Sequence, residues 1–367
     1  MKVSFNRPAL AEALTLVTSV VPSRTPKPIL SCVKIIAGTD VHLLATDMEV
    51  GMNITFNQAE IEEPGEIVIP ADKLQSIVRE SVDEVLSLEA SEGTCTVKGV
   101  DSHFTIFGHD AGQFPKVPEF EGEAQLEIQL AALQEGIEQS LFATAKESSR
   151  YALNGLLWEM DGKKLCLVAT DGRRLAKTRV AVMKSAEGML PEGKIIVPAK
   201  TMAILDKIGS SDEDIVKIKL IDNKIVICCD HIVISSNLVE GTFPKYEDII
   251  PKDYNKKLKL PTDAVLSAVR RSALLTNEES RGIKLAISEG KMIFSGRAPE
   301  TGDAAVEMPV DYHGEPIEIG FNPAFVVDVL RVIRTSDFDL ELGEPDRPGL
   351  IRSGKDFIYV LMPINLG

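Results

Sequence analysis

Apolar positions along the chain follow two alternating periods. Leu10 and Leu14, Leu133 and Ile137, and Val265 and Val269 are spaced four apart among polar neighbours, the stripe of an amphipathic helix. Pro8 and Pro261 suit the first turn of two such helices, where a backbone N–H has no partner to lose. Between them lie β-branched runs broken by turn residues, such as KIIAGTDVHLLATD, LCLVATDGRRLAKTRV and IKLIDNKIVICCDHIVISS, which predict antiparallel hairpins. A second set of helices opens at Ile69-Pro70-Ala71, at Val197-Pro198-Ala199 and at Asn322. Four and seven positions beyond Pro70, Pro198 and Asn322 stand Leu74 and Ile77, Met202 and Leu205, and Val326 and Val329, again a helical stripe. Nine positions beyond them come Arg79, Lys207 and Arg331.

These elements recur in order. Ala45-Thr46-Asp47 reappears as Ala169-Thr170-Asp171, the proline-led helix start as noted, and Phe114-Pro115-Lys116 as Phe243-Pro244-Lys245, at offsets of 124, 128 and 129. A fainter third copy keeps the grammar: an amphipathic segment at 261–276, the strand-like KMIFSG at 291–296, and IEIGFNPAFVVDVLRVI at 317–333. Each copy of about 120 residues is long enough to be a domain rather than a solenoid unit. Loop chemistry in PEFEGEAQ at 118–125 and IIPKDYNKK at 249–257 places the boundaries, giving domains at 1–122, 123–251 and 252–367. The fold class is α+β, each domain carrying two helices and antiparallel sheets.

Charge adds a puzzle. The 40 basic and 55 acidic side chains leave a net charge of −15 over 367 residues, an ordinary folded composition. The pI near 4.9 argues against a protein that grips nucleic acid by bulk charge. No run of about 18 apolar residues is present and MKVSFNRPAL lacks the core of a signal peptide, so the reading is a cytoplasmic chain without a membrane partner. Cys32, Cys95, Cys166, Cys228 and Cys229 are odd in number and lie in strand-like runs, which predicts buried thiols rather than disulfides.

An enzyme reading starts from the Asp beside two Arg residues in ATDGRRL, but it finds no companions. No phosphate loop, dinucleotide fingerprint, nucleophile elbow or HExxH helix occurs, and His42, His103, His109, His231 and His313 lack metal-ligand spacing. Asp47 and Asp171 at equivalent repeat positions point to a structural turn. No catalytic residue, metal or cofactor is assigned.

Taken together, the three tandem copies, ATDGRRLA at 169–176, TFPKYEDIIP at 242–251, YALNGLL at 151–157, TNEESRG at 276–282, IGFNPAFVVDVL at 319–330 and YVLMPINL at 359–366 resemble the bacterial sliding clamp family, the beta subunit of DNA polymerase III. The match runs from first residue to last. The resemblance implies a head-to-tail homodimer, a ring of six similar domains around duplex DNA, which tethers the replicative polymerase for processive synthesis without sequence specificity. It implies interface positions Phe104 and Ile106 on one side and Leu274 and Leu275 on the other. It also explains the acidity: topology retains the DNA, so modest local charge inside the ring suffices. Lys73, Arg79, Lys200, Lys207, Arg331 and Arg334 on the lining helices, with Arg24, Lys27 and Arg150 on loops or helix ends, are the implied DNA-facing cations, while acidic residues cover the outer sheets.

The same resemblance implies a groove that takes short client peptides with Gln, Leu and Phe anchors, formed by Leu153, Thr170, Gly172, Arg173, Arg174, Leu175, Pro244, Ile249, Asn322, Val360 and Met362. The implied clients are the DNA polymerase III catalytic subunit, the clamp loader complex, other polymerases, ligase and mismatch-repair proteins. Two positions depart from better-known relatives: Ala152 stands where a second Tyr follows Tyr151, and Gly367 extends the usual terminal Leu. Arg173 replaces a His seen in some relatives and would favour acidic flanks in client peptides. A third reading, an acidic peptide-binding scaffold that never encircles DNA, is separated from a clamp by retention on circular but not linear duplex.

Overall fold

A computed structural model describes residues 1–146, 151–186, 188–190, 193–209, 211, 213–276 and 282–365. The first repeat contributes β1 (Lys2–Asn6), α1 (Arg7–Val17), β2 (Cys32–Ala37), β3 (Val41–Thr46), β4 (Val50–Phe56), β5 (Ala59–Glu63), β6 (Gly65–Pro70), α2 (Ala71–Glu80), β7 (Val85–Ser91), β8 (Thr94–Lys98) and β9 (His103–Phe107). In the second follow β10 (Leu126–Gln129), α3 (Leu130–Leu141), β11 (Gly155–Asp161), β12 (Lys164–Thr170), β13 (Arg174–Ala181), β14 (Lys184–Ser185), β15 (Lys194–Pro198), α4 (Ala199–Leu205), β16 (Ile215–Ile221), β17 (Lys224–Cys229) and β18 (Ile232–Asn237). The third has β19 (Lys256–Pro261), α5 (Thr262–Ser272), β20 (Ile283–Ser288), β21 (Lys291–Ala298), β22 (Gly302–Pro309), β23 (Ile317–Phe321), α6 (Pro323–Val332), β24 (Asp337–Leu342), β25 (Gly349–Ser353) and β26 (Phe357–Leu361).

Helix stripes fall where the periodicity puts them. Leu10, Leu14, Leu133, Ile137, Val265 and Val269 are all buried. Pro8 sits in the first turn of α1, whereas Pro261 is the N-cap of α5, one residue before the helix. In α2 the phase differs from the expectation: Val78 is buried and Ile77 only half-buried, because the helix faces the sheet with Ala71, Leu74 and Val78. The five cysteines are free thiols, four of them buried and Cys228 half-buried.

The chain forms two compact units. Unit 1 comprises 1–133, 182–193 and 200–238, and unit 2 comprises 134–181, 194–199 and 239–367, so the central repeat is shared between them. In unit 1 a five-stranded sheet runs β5-β1-β7-β8-β9, and a nine-stranded sheet runs β14-β10-β16-β17-β18-β4-β3-β2-β6. The nine-stranded sheet crosses from the second repeat to the first where β18 pairs antiparallel with β4, Ile232 opposite Ile54 and Ile234 opposite Met52. Unit 2 has an eight-stranded sheet, β15-β11-β12-β13-β26-β25-β24-β19, and a four-stranded sheet, β22-β21-β20-β23. Its crossing is β13 on β26, with Leu175 opposite Val360 and Ala176 opposite Tyr359. The two crossings are equivalent: in each, the strand that follows the Thr-Asp turn of one repeat pairs with the last strand of the next. By that correspondence β22 and β9 are the members that, among the described residues, have no strand neighbour on one side. Beneath α5 and α6 an apolar cavity of about 30 Å³ is lined by Val265, Val269, Met292, Phe321, Val326 and Leu361 among others.

Candidate client groove and surface sites

The turn between β12 and β13 is built by its own side chains. Thr170 Oγ1 donates to the carbonyl of Arg174 at 2.6 Å and accepts from the Gly172 amide at 3.1 Å. Asp171 Oδ1 accepts from the amides of Arg173 and Arg174 at 2.9 and 3.1 Å. The turn between β3 and β4 repeats this scheme: Thr46 Oγ1 donates to the Val50 carbonyl and accepts from the Met48 amide, and Asp47 Oδ1 accepts from the amides of Glu49 and Val50. Both aspartates therefore satisfy backbone donors, the Asx role that the repeat equivalence predicts.

Around the second turn the structure brings most of the predicted groove residues together. Leu153, Leu175 and Val360 lie buried in one apolar cluster with Ala152, Phe243 and Tyr246. Ala152, the position that departs from relatives, is thus part of the cluster rather than its rim. Gly172, Arg173, Ile249 and Met362 are exposed and Pro244 is half-buried. Met362 donates its amide to the Arg173 carbonyl at 3.0 Å, tying the segment after β26 to the turn.

Three predicted groove residues are engaged otherwise. The Thr170 hydroxyl is consumed within the turn. Asn322 caps α6, its Oδ1 accepting from the Ala324 amide at 3.0 Å. Arg174, expected among the groove residues, is 7% exposed. Its guanidinium pairs with Asp171 at 3.0 Å and Asp328 at 2.7 Å and donates to the Phe142 carbonyl at 2.6 Å. It also lies over the rings of Phe325 and Phe142, 4.3 and 5.4 Å from their centroids. Burial opposes its charge, yet the bond to Asp328, with Tyr359 and Asp171 nearby, holds the guanidinium above its ordinary pKa.

Sequence reasoning missed Tyr246 and its partners. The phenol donates to Glu159 at 2.7 Å and accepts from Lys177 at 3.3 Å, and the Lys177 ammonium sits 5.0 Å from the ring centroid. Burial, then the bond to Glu159, push the phenol well above its usual range. The signal was at hand, since Tyr246 directly follows the repeated Phe243-Pro244-Lys245.

The predicted DNA-facing cations divide into two groups. Arg24, Lys27, Lys207 and Arg331 are exposed and form no ion pair among the described residues. Lys73 pairs with Asp72, Arg79 with Glu80, and Arg334 with Glu138 at 2.6 Å. Lys200 is held on two sides, its ammonium binding Asp47 at 2.5 Å and the Val20 carbonyl at 2.9 Å, with the side chain still 39% exposed. Lys207 lies past the end of α4, whereas Arg79 and Arg331 occupy last turns, where a cation complements the helix dipole. Arg150 lies outside the described residues. Acidic side chains stand exposed on sheet edges, among them Glu60, Glu62 and Glu63 on β5 and Asp303 and Glu307 on β22.

Of the predicted interface residues, Phe104 on β9 is 39% exposed but Ile106 only 6%, because Ile106 sits opposite buried Cys95 on β8 and packs inward. Phe107, 77% exposed on the same strand, is the apolar surface the sequence reading overlooked. Leu274 is 77% exposed and Leu275 half-buried in the 3₁₀ turn Ala273–Leu275, which contacts β21 and β22.

Comparison with known proteins covers the whole chain. Models of the N-terminal, central and C-terminal domains of the DNA polymerase III beta subunit match residues 1–118, 127–245 and 247–365. The chain is 34% identical over 370 residues to the beta sliding clamp of Pseudomonas putida KT2440, covering 100% of both. Among solved structures, the Pseudomonas aeruginosa DNA polymerase III subunit beta bound to griselimycin is similar with a TM-score of 0.92 and 33% identity, over 100% of this chain and 99% of that one. The sliding clamp from Bacillus subtilis gives a TM-score of 0.91 at 25% identity, over the same shares.

Proposed function

Because this chain belongs to the DNA polymerase III beta subunit family, the bacterial sliding clamps, it serves DNA replication as a non-catalytic processivity factor, and we propose that two copies close head to tail into a ring that slides on duplex DNA. The observation that carries this reading is the strand rule. β4 pairs with β18 and β13 with β26, each a post-turn strand on the last strand of the following repeat. Applied a third time, between copies, the rule sets β22 of one against β9 of the other, a heterologous contact that closes by rotation. The four-stranded and five-stranded sheets would then merge into one of nine, as in unit 1. Phe104, Phe107 and Leu274 supply exposed apolar surface beside those two edges.

Arg24, Lys27, Lys207 and Arg331 face the phosphate backbone in this reading, with Lys73, Arg79 and Arg334 available once they exchange carboxylates for phosphates. Such contacts position DNA without reading its sequence. The groove around Leu153, Leu175 and Val360 takes client peptides, since a short ligand needs buried apolar anchors to offset its ordering cost. Polymerases, the clamp loader, ligase and mismatch-repair proteins are the proposed clients, and the cytoplasm the proposed location.

Light scattering at micromolar concentration should give about twice the chain mass of 40.0 kDa. Leu274→Asp should return the mass of a single chain. After loading by a clamp loader, the protein should stay on nicked circular DNA and leave once the circle is cut. A single-chain mass for the wild type, or equal retention on circular and linear duplex, would overturn the ring.

A further inference from the structure

Both junctions between repeats are fastened at the same place, with opposite polarity. At the second junction, in unit 2, the cation comes from the turn: Arg174 reaches Asp171 beside it, Asp328 on α6 of the next repeat, and the Phe142 carbonyl just past α3. At the first, in unit 1, the turn offers only its acid. Lys200, on α4 of the next repeat, reaches back to Asp47 and to the Val20 carbonyl shortly after α1. Turn aspartate, cation and post-helix carbonyl recur, while the side that supplies the cation is exchanged. Val50 stands where Arg174 does, and Ala324 stands where Lys200 does, both read by the Pro198 and Asn322 alignment and the turn offset.

The second fastening sits within the groove's wall. Arg174 begins β13, so Gly172, Arg173 and Leu175 are placed by whatever holds it. Its stacking partner Phe325 offers a carbonyl to the Tyr359 hydroxyl at 3.1 Å, so α6 and β26 are joined to the same knot. The guanidinium is enclosed between two rings and two carboxylates, which leaves it poorly placed to touch a ligand. We propose that Arg174 is a positioning residue for the client groove: through Asp328 and Phe325 it locks the 170–174 turn onto α6, and it does not itself bind the peptide. This deepens the client-groove reading and rests on it.

The internal repeat supplies the test. Arg174→Val removes the fastening, and Arg174→Val with Ala324→Lys rebuilds it in the polarity of the first junction, with a helix-borne ammonium facing Asp171 and the Phe142 carbonyl. A fluorescent peptide carrying Gln, Leu and Phe anchors should bind Arg174→Val at least about tenfold more weakly than wild type, since breaking a buried pair leaves its partners uncompensated. The double variant should recover most of that loss. Hydrogen exchange at the Gly172 and Arg173 amides should rise in the single variant and fall back in the double. Unchanged affinity in Arg174→Val, or lost affinity that persists in the double variant while exchange is restored, would overturn the proposal, the latter by making Arg174 a direct contact. If wild type fails to bind the peptide, the client reading falls, and the exchange data alone judge whether Arg174 holds the turn.

Discussion

The two Thr-Asp turns differ at one informative position. Met48 holds φ +82° where Gly172 holds φ +87°, with the same side-chain bonds on either side. A Cβ added at Gly172 meets no atom within 4 Å, so Gly172→Ala tests conformation without sterics. The left-handed region costs an L-residue about 1–2 kcal/mol. Lower entropy of the unfolded chain returns about 0.4–1 kcal/mol. Gly172→Ala should therefore destabilise by about 1 kcal/mol, a fall in Tm of about 2–4 °C for a unit of this size. Met48→Gly relieves the same strain, but it forfeits the flexible-chain term and part of a side chain that is 53% exposed, worth about 1 kcal/mol of burial. Its net effect should lie near zero. Trp158 is the only tryptophan, is fully buried and belongs to the unit that holds Gly172, so its fluorescence in a urea titration follows that unit directly. Far-UV circular dichroism follows Met48→Gly. A Gly172→Ala variant as stable as wild type, or a Met48→Gly variant destabilised by more than about 1 kcal/mol, would refute the strain argument.

Further outcomes follow from burial. Burial pushes the thiols of Cys32, Cys166 and Cys229 up to about 11 and that of Cys95 up to about 12, so at pH 8 a disulfide reagent should label no more than the half-buried Cys228 in the native chain, and all five after urea. Because those folded-state values are raised, their contribution is intact below the ordinary thiol pKa and is lost as pH climbs from about 9 toward 11, at about 1.4 kcal/mol per pH unit per thiol. Unit 1, with Cys32, Cys95 and Cys229, should lose stability at about pH 9 faster than unit 2, with Cys166. The raised phenols of Tyr246, Tyr254 and Tyr359 in unit 2 add their own loss only as pH approaches and passes about 10, so equal urea-midpoint shifts at about pH 9 would contradict this. Val265→Ile should partly fill the cavity of about 30 Å³ and stabilise by up to about 0.7 kcal/mol, at about 24 cal/mol per Å³; a loss of stability by calorimetry would mean the lining cannot admit the methyl.

The helices and the threefold repeat were legible in the sequence because both rest on local spacing. A four-residue stripe such as Leu10 and Leu14 states which face is buried, and recurrence of Ala-Thr-Asp states that the pattern is copied. Partner choice was not legible. Nothing in LCLVATDGRRLAKTRV says that its second strand pairs with residues 358–361, because hydrophobic alternation fixes a strand's face but not its neighbour. Leu153, Leu175 and Val360 were gathered from the sequence by resemblance alone, and the structure brings them into one cluster. The charged residues misled most: Arg174 looks like a surface cation in sequence yet is buried against Asp328, and Lys200, half-buried, is held by Asp47 and the Val20 carbonyl, partners far away along the chain.

The shared central repeat separates what recurs along the sequence from what folds as a body. The pattern recurs in stretches of about 120 residues, yet each compact unit takes one outer repeat and part of the middle one. A chain cut after residue 251 would lose β26 from the flank of β13, baring the ladder edge that carries Arg174 and Leu175. A chain begun at residue 123 would lose β4 from β18 in the same way. Bare edges of this kind recruit other strands and aggregate. Modularity in the sequence is thus not modularity at the level of excision: the repeats recur singly along the chain but pack in overlapping pairs.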